Sequence, residues 1–152
     1  MLNIGETIPD FSLLNQRGET VTSASLVGKP LVLFFYPKAE TAGCTLEARG
    51  FRDDYAEFAR LGANVLGISA DPPSVQARFC GSQDLPYDLL CDTDLAVHRA
   101  FGLKKRLGLV MPRITFVFDE RGVVRDVFDS MLKPLAHTAT ALKVVKRTVG
   151  AK

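Results

Sequence analysis

Residues 31–47 read LVLFFYPKAETAGCTLE, and this stretch decides the fold. It opens with an unbroken apolar run over 31–36, which predicts a strand covered on both faces, as in parallel sheets. Pro37 ends the run, because proline cannot supply the backbone N–H that a central strand needs. Apolar residues then recur at helical spacing over 48–58, and Gly62 follows as a helix stop. The stretch therefore predicts a turn from a central strand into a helix.

The same patterns predict the elements on either side of this turn. The predicted strands are a hairpin of 11–14 with 20–22, buried strands at 65–68 and 114–118, a strand over 87–92, and a second hairpin of 114–118 with 123–128. The predicted helices lie over 73–81 and at the end of the chain. The closing helix has an apolar stripe of Leu135, Ala139, Leu142, Val145 and Val149. This order predicts an α/β, thioredoxin-like fold with a mixed central sheet, an N-terminal β-hairpin and flanking helices. We expect the sheet to be parallel inside and antiparallel at one edge, in a single domain spanning 1–152.

Composition excludes several classes of function. The chain has 152 residues, 47% of them hydrophobic and 24% charged, with a formal net charge of +2, which is typical of one globular domain. The densest basic stretch, 104–106, is too short to follow a nucleic-acid backbone. Residues 1–7 lack the features of a secretory signal, and no apolar run approaches the ~18 residues of a membrane span. We therefore expect a cytoplasmic protein without a nucleic-acid or membrane partner.

Three cysteines, Cys44, Cys80 and Cys91, carry the possible chemistry, because an odd number of cysteines does not make a disulfide framework. If Thr41 is the helix N-cap, Cys44 lies in the first turn, where unpaired N–H groups and the helix dipole favour a thiolate. A buried, inert Cys44 is the alternative, since free cysteine is often a small core residue. On spacing alone Thr41 is an ordinary N-cap, and Pro37 only ends a strand.

Other readings of the chain are weaker. A metal protein could use Cys80, Cys91, His98 and His137, but no close cysteine pair of ligand spacing occurs, and we expect no metal. The sequence has no C-x-x-C, which excludes a thioredoxin-like disulfide reductase in its usual form. His98 and His137 lie in helical segments without a nearby motif, and we expect both to face solvent.

Pro37, Thr41 and Cys44 fit the signature proline, three residues, threonine, two residues, cysteine, and here the chain resembles the peroxiredoxins. The wider stretch 35–53, the opening residues 4–11 and the segment 113–117 resemble the PrxQ or bacterioferritin comigratory protein branch, so the likeness covers essentially the whole chain. Two positions depart from the branch. Ala42 replaces its usual proline, and Arg49 replaces the second cysteine of many members, which excludes a disulfide within the first helix.

The resemblance implies a thiol-dependent peroxidase acting on hydrogen peroxide and organic hydroperoxides without a metal, haem or flavin cofactor. Cys44 would be the peroxidatic cysteine. Thr41, Gly43 and Arg113 would bind the substrate, Arg113 would also favour the thiolate, and Pro37 would shield the sulfur from water. In isolation Arg113 would be interpreted as a surface ion pair, and Glu47 as an acid that positions a neighbouring arginine.

The resemblance also implies a second cysteine, since some members carry it in the helix that contains Cys80. Cys80 would then resolve the oxidised Cys44 through an intramolecular disulfide, recycled by thioredoxin, with Cys91 buried on a strand as a bystander. The branch is often monomeric, and we expect a monomer. A one-cysteine peroxidase that uses an external thiol and a non-catalytic thioredoxin-fold binding module remain the alternatives.

Overall fold

The structure, a computed structural model, describes residues 1–108 and 110–150. The strands in these ranges are β1 (Ser12–Asn15), β2 (Thr20–Thr22), β3 (Leu31–Phe35), β4 (Asn64–Ser69), β5 (Leu89–Cys91), β6 (Ile114–Phe118) and β7 (Val124–Asp129). The helices are α1 (Ser23–Leu26), α2 (Ala42–Asp53), α3 (Tyr55–Arg60), α4 (Pro73–Ser82), α5 (Ala96–Ala100) and α6 (Pro134–Gly150).

The strands form one mixed sheet in the order β2-β1-β5-β4-β3-β6-β7. β3, β4 and β5 are parallel, whereas β6 and β7 continue the sheet antiparallel beyond β3. The expectation of a single antiparallel edge is wrong, because the β1–β2 hairpin pairs antiparallel with β5 through Leu14 and Cys91. The hairpin thereby covers the strand edge that three-residue β5 would otherwise expose. The α/β fold with a mixed sheet, N-terminal hairpin and flanking helices is confirmed.

The long helix predicted after β3 is two helices. Asp54 ends α2 and precedes α3, with a ψ of 5° that departs from helical geometry. The carbonyl of Asp54 accepts hydrogen bonds from the N–H groups of Glu57 and Phe58, so the second helix begins there. Phe51 and Phe58 stay fully buried on either side of the break. The helical periodicity of the sequence therefore predicted the buried face of both helices correctly but not the break at Asp54.

Two apolar cores lie on opposite faces of the sheet, because successive strand residues point to opposite faces. Phe34 packs with Phe51 and Val145 on the face covered by α2, α4 and α6. Phe35 packs with Phe101 on the other face. The strand is thus fixed from both sides up to the residue before its loop.

The predicted stripe of the closing helix is confirmed in part, because Val145 is buried and Leu142 and Val149 pack partly buried against the core. Leu135 is 56% exposed and Ala139 is also exposed, whereas His137 and Thr138 are buried together with Ala141, Val144 and Val145. Polar residues face inward here because His137 finds hydrogen-bond partners inside the protein. Within the described ranges, none of the helices combines the length and the apolar character needed to cross a bilayer.

Candidate active site

Cys44 lies in the first turn of α2, and Thr41 is the N-cap as predicted. The Cys44 side chain is buried, with 1% exposed. The Thr41 carbonyl accepts the N–H of Thr45 at 2.9 Å, while the Thr41 hydroxyl donates to the carbonyl of Lys38 at 2.7 Å. Ala42 begins the helix despite the absence of proline. The sulfur therefore lies where first-turn N–H groups lack partners within the helix.

Arg113 reaches this turn because of the strand register. β6 pairs antiparallel with β3, with Ile114 opposite Phe35, so Arg113 precedes β6 at the edge where β3 leads into its loop. Its Nη1 lies 3.6 Å from Cys44 Sγ and donates to Glu47 Oε1 at 2.7 Å. Arg113 is 5% exposed and is not a surface ion pair. The structure thus brings together the cysteine, the arginine and the acid singled out in the sequence.

Gly43 lies against the Arg113 guanidinium. A Cβ at position 43 would stand 2.9 Å from Nη2 of Arg113, which is closer than real Cβ atoms approach. A side chain at position 43 would therefore displace the guanidinium from its place beside the first turn of α2. The Nε of Arg113 donates to the carbonyl of Met131 at 3.2 Å, which fixes the plane of the guanidinium from its other side.

The loop between β3 and α2 is held by polar contacts to the neighbouring strand end and to α4. Pro37 is half-buried at its start. The Ala39 N–H donates to Asp71 Oδ2 at 2.7 Å. Glu40 has a φ of 68°, in the left-handed region, and pairs through both carboxylate oxygens with Arg78 of α4, at distances from 2.6 Å. The loop is therefore tied to α4.

Glu47 is a fully buried acid one turn after Cys44. Burial raises its pKa from 4.5 to about 8, even though the charge and the hydrogen bond of Arg113 act in the opposite direction. Its Oε2 has no hydrogen-bond partner among the described residues. The contact with Arg113 agrees with the prediction that Glu47 positions a neighbouring arginine.

The two other cysteines differ in environment, and all three are free thiols. Cys80 is half-buried near the end of α4, and its sulfur lies 3.5 Å from the carbonyl of Leu85 and 3.8 Å from Nε2 of Gln16. Burial raises the pKa of the Cys80 thiol. Cys91 ends β5 with 6% of its surface exposed, and burial raises its pKa to about 11. The prediction of a buried strand position for Cys91 is confirmed.

The prediction that both histidines face solvent is wrong, because both are fully buried. His98 Nδ1 lies 2.5 Å from Asp92 Oδ2. His137 Nδ1 lies 2.8 Å from Thr115 Oγ1. The spacing 137, 141, 144, 145 is itself a helical stripe and could have identified His137 as inward-facing. No group of three or more metal-ligating side chains occurs in the part of the chain that the structure describes.

Known proteins resemble the chain along nearly all of its length. The AhpC/TSA family model matches residues 4–127. Chloroplastic peroxiredoxin Q from Populus jackii is 38% identical over 146 residues, which are 95% of this chain and 68% of that protein. The chain thus spans about two thirds of this relative's length.

Solved structures agree with these relatives. Peroxidoxin BcpB from Mycobacterium tuberculosis is 39% identical with a TM-score of 0.90, over 97% of this chain and 98% of that one. Peroxiredoxin Q from Xanthomonas campestris is 30% identical with a TM-score of 0.88, over 98% of each chain. Two further structures of the Xanthomonas protein are single cysteine-to-serine mutants at positions 36 residues apart. Since these likenesses extend across both the signature loop and the strand behind Arg113, the chain belongs to the AhpC/TSA family, in the peroxiredoxin branch called peroxiredoxin Q or bacterioferritin comigratory protein.

Proposed function

We propose that the protein reduces hydrogen peroxide and organic hydroperoxides with Cys44 as the attacking residue. The observation that carries this proposal is the buried contact between Arg113 Nη1 and Cys44 Sγ at 3.6 Å, at the N-terminus of α2. A cation and a helix N-terminus both favour the thiolate, which is the nucleophilic form of cysteine. Family membership as a thiol peroxidase agrees with this geometry.

The thiolate sulfur attacks the terminal oxygen of the hydroperoxide. An S–O bond forms as the O–O bond breaks, so Cys44 becomes a sulfenic acid, and the departing oxygen takes a proton to leave as water or an alcohol. Negative charge grows on the departing oxygen, and it needs hydrogen-bond donors held in place beforehand. Arg113 and the first-turn N–H groups of Gly43 and Cys44 are such donors, and the Thr41 hydroxyl lies at the same turn. Half-buried Pro37 helps to keep water from the sulfur.

Apolar surface beside Arg113 supports organic hydroperoxides as substrates. The carbonyl that Arg113 Nε contacts belongs to Met131, and the next residue, Leu132, is 92% exposed. Leu135 is also exposed, and its Cδ2 would lie 3.3 Å from a Cβ atom at position 50. Gly50 follows the exposed Leu46 by one turn of α2. The organic group of a hydroperoxide can bury apolar surface area against these leucines, which favours its binding.

Cys80 is the residue we propose to resolve the sulfenic acid. Cys44 and Cys80 are 36 positions apart, the separation of the two cysteines changed in the Xanthomonas mutants. Phe79 anchors α4 in the core, but the helix residues after it, Cys80, Gly81 and Ser82, are not buried, so this last part of the helix can open locally. Opening is required because a disulfide needs Cα atoms within about 7 Å. Here the sulfur of Cys80 faces the carbonyls of Leu85 and Tyr87.

One equivalent of hydrogen peroxide should link the Cys44 peptide to the Cys80 peptide, as read by non-reducing peptide mass spectrometry. In Cys80→Ser the sulfenic acid on Cys44 has no intramolecular partner, so a second equivalent of hydrogen peroxide should oxidise it to sulfinic acid. Cys91→Ser is the matched control and should form the same disulfide as the parent. A Cys44–Cys91 link would contradict the assignment and make Cys91 the resolving residue. Full thioredoxin-dependent turnover in Cys80→Ser without any intramolecular link would contradict it in favour of the one-cysteine alternative.

Thioredoxin is the reductant we propose for the oxidised protein. Thioredoxin with its reductase should sustain peroxide-dependent NADPH oxidation over many turnovers, because a disulfide is reduced by attack of a thiolate on one of its sulfurs. The matched comparison replaces thioredoxin with glutathione and glutaredoxin. Turnover with glutaredoxin alone would reject thioredoxin as reductant, and no peroxide consumption with any thiol would favour the non-catalytic binding module.

A further inference from the structure

Glu47 has one carboxyl oxygen in use and one without a partner. Oε1 accepts from Arg113 at 2.7 Å, whereas Oε2 is buried without a hydrogen bond among the residues described. An ionised carboxylate in that setting would leave a charged acceptor atom unsolvated, which is costly in a protein interior. A protonated carboxyl group lowers this cost, because Oε2 then carries a proton that can be donated.

His137 provides the acceptor for such a proton. Its Nδ1 lies 2.8 Å from Thr115 Oγ1 and 3.5 Å from Glu47 Oε2, and its Nε2 lies 2.7 Å from the carbonyl of Ser130. A carbonyl only accepts, so Nε2 carries the ring proton, and Nδ1 of the neutral ring is an acceptor. The Thr115 hydroxyl is its nearer donor, and a proton on Glu47 Oε2 shares the same nitrogen at the longer distance. Burial and the charge of Arg113 lower the pKa of His137, against the backbone contact with Ser130 and the charge of Asp129, and this favours the neutral ring.

The charges around the carboxyl group favour the same arrangement. Arg113 is the cation that contacts both Cys44 and Glu47. A thiolate and a carboxylate together would place two buried anions on one guanidinium, and like charges at such distances oppose each other's ionisation. Other ionisable groups that act on this cluster are the neutral phenols of Tyr87, near Glu47, and Tyr36, near Cys44, together with Asp129, near His137.

We propose that Glu47 is a protonated acid in the reduced protein, with its proton facing His137 Nδ1, so that the Cys44 thiolate is the single anion opposite Arg113. His137 is then a positioning residue that acts on the sulfur through Glu47 and Arg113. The inference rests on the proposed function for the role of the thiolate, whereas the protonation of Glu47 can be measured without any peroxide.

Stability as a function of pH tests the protonation state. An unfolded chain ionises Glu47 near 4.5, whereas the folded chain retains the proton up to about 8. Between these values the folded state binds more protons, so this group makes the parent less stable as pH rises from about 4.5 to about 8. Glu47→Gln lacks that linkage. The stability of Glu47→Gln relative to the parent, from denaturant unfolding, should therefore increase with pH across this window and level off above it.

If Glu47 is ionised and paired with Arg113, the stability difference between the parent and Glu47→Gln changes with pH in the opposite direction. The pKa of Glu47 would lie below 4.5 in the folded state, so the parent would gain stability relative to Glu47→Gln as pH rises through that region. Such a result would overturn the inference. Peroxide turnover of the same parent sample is the separate readout. If the parent is active but its stability relative to Glu47→Gln rises with pH, the inference alone is rejected. If the parent does not consume peroxide, the proposed function alone is rejected.

Infrared spectra test His137. The reduced parent at neutral pH should show the carbonyl stretch of a protonated carboxylic acid, and Glu47→Gln should lack it. His137→Phe keeps a ring against Phe128 but removes the acceptor, so the band should shift to higher frequency. If that variant does not fold, His137→Gln supplies a different acceptor and should also shift the band. Thr138→Val, a buried neighbour on α6, should leave it in place. A missing acid band, or one that neither His137 variant moves, would overturn the inference.

Discussion

Cys44→Ser should lower the peroxide reduction rate at least about 1,000-fold, because the variant lacks the thiol that we propose as the nucleophile of covalent turnover. A serine hydroxyl beside Arg113 stays protonated at neutral pH and cannot replace a thiolate. The measurement is peroxide consumption by the reduced protein with the thioredoxin system present. Near-parent turnover in Cys44→Ser would reject Cys44 as the attacking residue.

The control for this variant separates chemistry from folding. Cys44 is 1% exposed, so a buried hydroxyl costs roughly 1 kcal/mol of stability, and circular dichroism with thermal unfolding should show a folded protein. Cys91→Ser changes a comparably buried cysteine at the end of β5, outside the site. It should retain the parent rate of peroxide consumption.

Arg113→Ala should slow the oxidation of Cys44 by about 100- to 1,000-fold, as loss of a placed donor does in other enzymes. Without the guanidinium the sulfur loses its neighbouring cation, and the departing oxygen loses a hydrogen-bond donor held in place. Stopped-flow oxidation with hydrogen peroxide gives the rate.

Arg113→Lys should recover only part of the rate. Nη1 of the guanidinium contacts both Cys44 and Glu47 while Nε contacts the carbonyl of Met131, and one ammonium cannot reproduce that fork. Arg121→Ala is the matched control, because Arg121 has an exposed side chain and pairs only loosely with Asp119, at 3.8 Å. A parent-like oxidation rate in Arg113→Ala would contradict the role given to Arg113.

The parts of the fold that the sequence predicted are those with strong local signals. The continuous apolar runs at 31–36, 65–68 and 114–118 became buried strands, and the prolines before α4 marked its start. Strand order depends on contacts between distant segments. The antiparallel pairing of Leu14 with Cys91 joins residues far apart in the chain, and neither strand carries a local sign of the other.

The predictions for the site also succeeded where the signal was local and failed where it depended on distant segments. Cys44 and Thr41 were identified because they share one turn, and Arg113 followed only from the family resemblance, since nothing in its own segment shows that it faces a cysteine. His137 was placed wrongly because a histidine among apolar residues fits either a core or a surface position. Its partners, Thr115 and Ser130, come from β6 and from the residue after β7, and only the folded chain shows them together.

The ion pair between Glu40 and Arg78 joins the two segments that carry Cys44 and Cys80. Glu40 lies four residues before Cys44, and Arg78 lies two residues before Cys80. Unwinding the end of α4 removes the partner of Glu40, and displacing the loop removes the partner of Arg78. Glu40 also leaves an unfavourable left-handed backbone conformation when the loop moves. The opening of either segment therefore lowers the free energy needed to open the other by the small contribution of one exposed ion pair, and this contact couples the movements of the loop and the helix.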